Sequence, residues 1–107
     1  MSLDFSLNRT QPTCVFSTNI THNLGGMATE AGIYKHLWRP EELGITKAGD
    51  LIGPLAEGLA KLKKDPEHYK NFDAPNGWGT YEHFVPFVTE VLKACIDFPD
   101  AEIEVSR

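Results

Sequence analysis

Three short segments of the chain hold most of the residues whose side chains could take part in ligand chemistry. The candidate ligand-binding residues are His22, Asn23, Tyr34, Trp38, Arg39, Asn76, Trp78, Tyr81 and Glu82. Aromatic rings stack on planar ligands, amide and imidazole groups hydrogen-bond to their edges, and a guanidinium pairs with phosphate or carboxylate. Together these residue types favour one pocket for a small planar or anionic molecule, such as a nucleotide-like ligand.

Trp78 has the most unusual neighbours, because it lies between Gly77 and Gly79 and shortly before a predicted helix start. Asn76-Gly77 is a strong turn signal, and glycine adopts backbone conformations that other residues avoid. The segment therefore aims a bulky side chain with a specially shaped backbone. Two roles are open to the indole, as a wall of a binding site or as a plug in the core.

Other residues of these segments also have structural alternatives. Trp38 is open to a role as a core anchor, since large aromatic side chains are mostly packing residues. Thr80 is typical of a helix N-cap. Arg39 is near enough in the chain to pair with Glu41 or Glu42. Convergence of the three segments is therefore a hypothesis that depends on the fold.

No spacing in the chain supports a catalytic or metal site. There is no HxxxH or HExxH pattern among the histidines, which are His22, His36, His68 and His83. There is also no G-x-S-x-G string and no known phosphate-binding loop, so we predict no catalytic residue, metal ligand or cofactor. A third option is an enzyme that uses His22 or His83 as a general base with Glu82. The residue types suit acid–base catalysis, but no spacing in the sequence supports it.

Length and charge limit the class of protein. The 107 residues fit one domain, residues 1–107, with 41% hydrophobic and 23% charged residues as in ordinary globular proteins. A formal net charge of -5 argues against a general nucleic-acid binder, which needs a basic surface. No apolar run approaches the roughly 20 residues of a membrane span, and the first residues lack a signal-peptide pattern. We therefore predict a cytoplasmic protein that is not in a membrane.

The elements that must position the candidate residues begin with two predicted strands. Residues 14–20 are rich in β-branched and aromatic side chains, and residues 101–105 alternate apolar with acidic ones. Their pairing would form a small sheet from the two ends of the chain, with residues 1–12 as a loose arm or a short edge strand. Cys14 and Cys95 are expected to be reduced, buried thiols, with a disulfide between them as the minor alternative.

Three main helices are predicted between the strands. The first begins within residues 21–23 and ends before Pro40. The second covers residues 46–64 with a kink or split at Pro54, and the third starts at Thr80. The predicted fold class is α+β, with the three helices packed on a small sheet of N-terminal and C-terminal strands.

Several sequence strings resemble a family of small bacterial and bacteriophage proteins that has no established activity. They are THNL, MA, AGIY, LWRPE and NGWGTYE, at residues 21–24, 27–28, 31–34, 37–41 and 76–82. The resemblance extends from about the first predicted strand to residue 107 and implies no catalytic residue. It implies a cytosolic protein that, like small phage proteins by analogy, acts by binding rather than by turnover.

Two functions from different classes are favoured over the enzyme hypothesis. The first is a non-enzymatic binding protein with a pocket for a small ligand. The second is an interaction module, either a homo-oligomer or a protein that covers a host partner, in which Trp, Tyr and Arg anchor the interface.

Overall fold

The first and last strands of the chain meet in one antiparallel sheet. The computed structural model describes residues 2–10 and 13–107. Strand β1 (Ser2–Thr10) is followed by β2 (Thr13–Thr21), and β3 (Glu102–Ser106) comes near the end of the chain. The strand order is β2-β1-β3, and β1 pairs antiparallel with both neighbours. The predicted sheet of N-terminal and C-terminal strands is confirmed.

The central position of β1 corrects the prediction of a loose arm or an edge strand over residues 1–12. Leu3, Phe5 and Leu7 are fully buried and alternate with polar residues, which is the two-residue period of a half-buried strand. Because β1 lies between β2 and β3, the predicted direct pairing of those two strands is also wrong. Residues 1, 11 and 12 of the first prediction lie outside the described residues.

The predicted first helix is divided into parts, because Gly32 interrupts it. A 3-10 turn (His22–Leu24) leads into α1 (Gly25–Glu30), and α2 (Tyr34–Trp38) follows after a break. Gly32 has a φ of +80°, a left-handed conformation that ends a helix and that other residues rarely adopt. Thr21 caps the first turn, since its hydroxyl accepts a hydrogen bond from the backbone N–H of Asn23, so the start lies within the predicted residues 21–23.

After a 3-10 turn at Pro40–Leu43, the remaining α-helices lie between residues 52 and 97. In α3 (Ile52–Lys64), Pro54 falls in the first turn, where a backbone N–H has no partner within the helix. The predicted helix over residues 46–64 is divided near the proline, because a 3-10 turn (Ala48–Leu51) leads directly into α3. The division lies at Leu51–Ile52 and not at Pro54 itself. The short α4 (Pro66–Lys70) precedes α5 (Tyr81–Asp97), which begins at the predicted position.

One hydrophobic core joins the sheet to the helices. Leu55 and Leu62 on α3 and Phe84 and Val88 on α5 are fully buried, so the apolar stripes of the two long helices face the same interior. The described residues therefore form an α+β fold, as predicted. No helix in this part of the chain is long and apolar enough to cross a membrane.

The two cysteines have different surroundings. Cys95 is buried in α5, and this burial raises the pKa of its thiol to about 11, which disfavours the reactive thiolate. Cys14 is exposed on β2, so the prediction of burial is wrong for this residue. The strand lies at the edge of the sheet, which explains the exposure. Both thiols are free, as expected for the reduced form.

Close packing at Gly58 gives a test of the interface between α3 and the Ile33 region. A Cβ atom on Gly58 would lie 2.5 Å from Ile33 Cγ2. We expect Gly58→Ala to lower the free energy of unfolding by about 1–3 kcal/mol, despite the higher helix propensity of alanine, because overpacking forces its neighbours to move. Urea unfolding followed by circular dichroism measures the change.

Gly53 supplies the matched control, because a Cβ atom there meets no atom within 4 Å. Since alanine favours a helix over glycine by up to about 1 kcal/mol, Gly53→Ala should keep or slightly raise the free energy of unfolding. Equal effects of the two substitutions would contradict the tight contact at Ile33.

Candidate functional site

Trp78 is exposed to solvent on the loop between α4 and α5. The residue has a relative exposure of 73%, so its role is not that of a core plug. The flanking Gly77 and Gly79 have φ angles of +77° and +120°. Side chains other than hydrogen strain the backbone at such angles, so the glycines shape the loop around the indole, as predicted.

Contacts on both sides hold the backbone of Trp78 in place. The Trp78 amide donates to Asn76 Oδ1 at 3.0 Å, and Asn23 Nδ2 donates to the Trp78 carbonyl at 2.8 Å. The buried Gly79 packs so closely that a Cβ atom there would lie 2.9 Å from Thr21 Cγ2. The first and third candidate segments are therefore in direct contact, although they are more than fifty residues apart in the chain.

Two open clefts both include Trp78 in their lining. The lining of the first, of about 410 Å³, includes Asn19, Thr21 and His83. The second, of about 540 Å³, has His22 and Asn23 in its lining, and both clefts also contain Asn76. We call the residues of these two clefts the Trp78 surface. It places an apolar ring among hydroxyl, amide and imidazole groups, which suits a ring-shaped ligand with a polar edge.

Trp38 has the opposite environment and is a core anchor, one of the two roles open to it. It has a relative exposure of 2%, and its ring stacks on Tyr34 with centroids 5.3 Å apart and an interplanar angle of 13°. Its Nε1 donates a hydrogen bond of 2.9 Å to His22 Nδ1. Because an indole N–H only donates, Nδ1 must accept, and the neutral imidazole then carries its proton on Nε2.

A third cleft, of about 310 Å³, lies around this aromatic cluster. Its lining residues are His22, Gly25, Tyr34, Trp38, Arg39 and Arg107. We call it the arginine cleft. Since His22 lines both this cleft and the Trp78 surface, the second candidate segment lies next to the other two. Seven of the nine candidate residues are thus placed along these neighbouring clefts.

Arg107 is a residue of the arginine cleft that sequence reasoning missed. Its Nη1 donates to the Trp38 carbonyl at 2.7 Å and to Glu41 Oε2 at 2.9 Å. No local pattern marks an arginine that follows a strand, because its partners lie more than sixty residues earlier. Arg39 pairs with Glu42 at 3.3 Å, which is one of its two predicted partners. The Tyr34 hydroxyl is the main cause that raises the pKa of Arg39, and Glu42 adds to it.

Tyr81 and Glu82 lie away from these three clefts. The Tyr81 hydroxyl donates to the carbonyl of Leu62 at 2.8 Å. This carbonyl lies in the last turn of α3, where it has no partner within the helix. The Glu82 carboxylate forms an ion pair with Lys70 at 3.4 Å. Both residues therefore have structural contacts, and their roles in ligand binding stay predictions.

The start of α5 is capped by a residue other than the predicted one. Thr80 occupies the N-cap position, but its side chain makes no capping hydrogen bond and lies 3.2 Å from His83 Nδ1. Instead, Asp73 Oδ1 accepts a hydrogen bond from the Tyr81 amide at 2.7 Å. A carboxylate also suits the positive end of the helix dipole. The cap comes from eight residues upstream, outside the usual N-cap pattern.

Known proteins give no further guidance on this site. Comparisons with protein-family models, curated proteins and solved structures each find no match to the chain. The resemblance to small bacterial and phage proteins therefore stays a prediction. Within residues 2–10 and 13–107, no three His, Cys, Asp or Glu side chains are grouped so that they could hold a metal ion.

Alanine substitutions at the two glycines test how the Trp78 loop is held. Both positions have positive φ, so each substitution strains the backbone by about 1–3 kcal/mol. A Cβ on Gly79 would also meet Thr21 and Leu24, whereas one on Gly77 meets no atom within 4 Å. We therefore expect Gly79→Ala to lower the melting temperature more than Gly77→Ala. Equal losses would show that the close approach at Gly79 contributes nothing beyond the backbone angle.

Proposed function

We propose that the protein binds a small planar ligand on the Trp78 surface and does so without catalysing a reaction. The observation that carries this proposal is the 73% exposure of an indole whose backbone is hydrogen-bonded on both sides. Exposing a large apolar ring to water is unfavourable, and loops that hold such a ring rigidly favour recognition. A ligand that covers the ring removes this apolar surface from water.

The polar groups around Trp78 support a ligand with hydrogen-bonding edges. Asn19, Thr21 and His83 line one of the two clefts that include Trp78, and Thr21, His22 and Asn23 line the other. Amides, hydroxyls and neutral imidazoles both donate and accept hydrogen bonds, as recognition of a heterocyclic edge requires. A nucleotide-like molecule combines a stacking face with such an edge, so it remains the ligand class that we propose.

The contacts of the imidazoles favour binding over acid–base catalysis. The hydrogen-bonding partner of His22 is the Trp38 indole, and that of His83 is the Thr80 hydroxyl. Glu82 is paired with Lys70. No His–Glu82 hydrogen bond is present among the described residues, so the enzyme hypothesis gains no support from the geometry that a general base and its orienting carboxylate need.

Substitution of Trp78 tests the proposal directly. A panel of nucleosides, nucleotides and other planar heterocycles is screened by thermal shift, and ligands that raise the melting temperature are titrated by calorimetry. Trp78→Ala should weaken their binding by about tenfold or more, since base–aromatic stacking contributes about 1–3 kcal/mol. Trp78→Phe, which keeps a ring, should retain most of the affinity. Unchanged binding by a well-folded Trp78→Ala protein would refute a role for the indole.

A second candidate function, self-association, is favoured by the free edge of β2. Residues 13–21 contain no charged residue and no proline, although charges and prolines commonly protect the edges of sheets. The pairing of β2 with β1 is regular from Phe16 to Thr21. The opposite edge, β3, is partly covered, because the Ile103 amide donates to the Thr46 carbonyl at 2.9 Å. An antiparallel strand can pair with a copy of itself about a two-fold axis.

Lysine substitutions on the two edges test this second candidate. Ser17 is exposed on β2, and Ser106 is exposed on β3 at the other edge of the sheet. If β2 forms a dimer interface, light scattering should find a dimer for the unmodified protein and for Ser106→Lys, but a monomer for Ser17→Lys. A monomer at every concentration of the unmodified protein would exclude the dimer.

A further inference from the structure

We propose that the arginine cleft binds an oxyanion, a phosphate or a carboxylate, that belongs to the same ligand whose planar part lies on Trp78. The inference rests on the proposed ligand at the Trp78 surface and adds a second contact point to it. The cleft has a volume of about 310 Å³ and contains the side chains of His22, Tyr34, Arg39 and Arg107. Among its lining residues none is acidic, in a chain whose formal net charge is -5.

Both guanidinium groups keep hydrogen-bond donors for a ligand. Arg107 uses one nitrogen, Nη1, for its contacts with the Trp38 carbonyl and Glu41. Arg39 uses its Nη1 for Glu42. A guanidinium has five N–H donors in a planar fork, so each arginine can pair with an oxyanion while it keeps its present partner. The carboxylates of Glu41 and Glu42 therefore orient the two arginines and need not leave.

The contact with Trp38 fixes Arg107 before any ligand arrives. Its Nη1 lies 2.7 Å from the carbonyl of Trp38, a residue that is itself buried and stacked on Tyr34. Holding a long side chain in one position lowers the entropy that binding would otherwise cost. A guanidinium held against a buried segment is thus better prepared for an oxyanion than a free surface lysine is.

His22 supplies a neutral donor between the two regions. Its Nδ1 accepts from the Trp38 indole at 2.9 Å, so its proton is on Nε2. The residue lines both the arginine cleft and the cleft beside Trp78. A single ligand can therefore place its ring on Trp78 and its anionic group among the arginines, with His22 beside both parts. This arrangement fits a nucleoside monophosphate better than a neutral nucleoside.

The test compares pairs of ligands in which one member carries an oxyanion and the other does not. Adenosine and AMP differ by a phosphate, and nicotinamide and nicotinate differ by a carboxylate in place of an amide. We expect the protein to bind the anionic member of a pair about tenfold more tightly or better, in line with charge-assisted hydrogen bonds. A preference in the first pair alone assigns the cleft to phosphate, and one in the second pair alone assigns it to carboxylate.

Removing the arginine charges should remove this preference. In Arg39→Gln and Arg107→Gln, the affinity for the anionic ligand should fall to that for its neutral counterpart. Lys35→Gln is the matched control, because Lys35 lies on α2 four residues before Arg39, pairs with Glu42 at 3.8 Å and lines a different cleft. It removes the same charge and should keep the preference. Circular dichroism checks that each variant is folded.

The outcomes separate this inference from the proposed function. Equal binding of the charged and neutral ligands, or a preference that survives both arginine substitutions, overturns the anion site and leaves the role of Trp78 standing. If binding of the anion depends on the arginines but Trp78→Ala changes nothing, the anion site stands and the proposed planar site fails. Absence of binding by every member of both pairs overturns the inference for these ligand classes.

Discussion

The close approach of the loop before α5 to the end of β2 is the constraint on which the rest of the site depends. A Cβ atom on Gly79 would lie 2.9 Å from Thr21 Cγ2, and the φ of +120° also disfavours a side chain, so this contact strongly favours glycine. The loop that contains Gly79 also carries Asp73, which caps α5, and Trp78, whose carbonyl accepts a hydrogen bond from Asn23. The loop that caps the start of α5 and the loop that exposes the ring are therefore the same segment, held by one small area of close packing.

The two tryptophans show how the same side chain takes opposite roles. Trp38 lies on a helix that faces the core, and burial of its N–H requires an acceptor, which His22 provides. Trp78 has no helical neighbours on its loop, and its ring extends into solvent while its backbone is held. The first tryptophan thus fixes the proton position of His22, and the second offers a free aromatic face beside the same histidine.

Local patterns predicted much of the fold but little of its long-range contacts. The α+β class, the helix from residue 81 and the strand near residue 103 follow from periodicity, which is a property of neighbouring residues. The glycines around Trp78 also indicated a shaped loop. Residues 1–12 were predicted as a loose arm or an edge strand because of their polar residues, although Leu3, Phe5 and Leu7 alternate with those residues and are buried in the central strand. The contacts of Arg107 and Asp73 arise from tertiary packing, and no spacing in the sequence encodes them.

The central place of β1 has a consequence for the order in which the chain can fold. The hairpin of β1 and β2 is local and can form while the rest of the protein is still being synthesised on the ribosome. The partner on the other side of β1 comes from the far end of the sequence, with Ser6 and Glu104 in contact across 98 residues. Contacts of such separation slow folding because a long loop must close first. During translation, the buried middle strand therefore has an unprotected side until residues 102–106 have emerged.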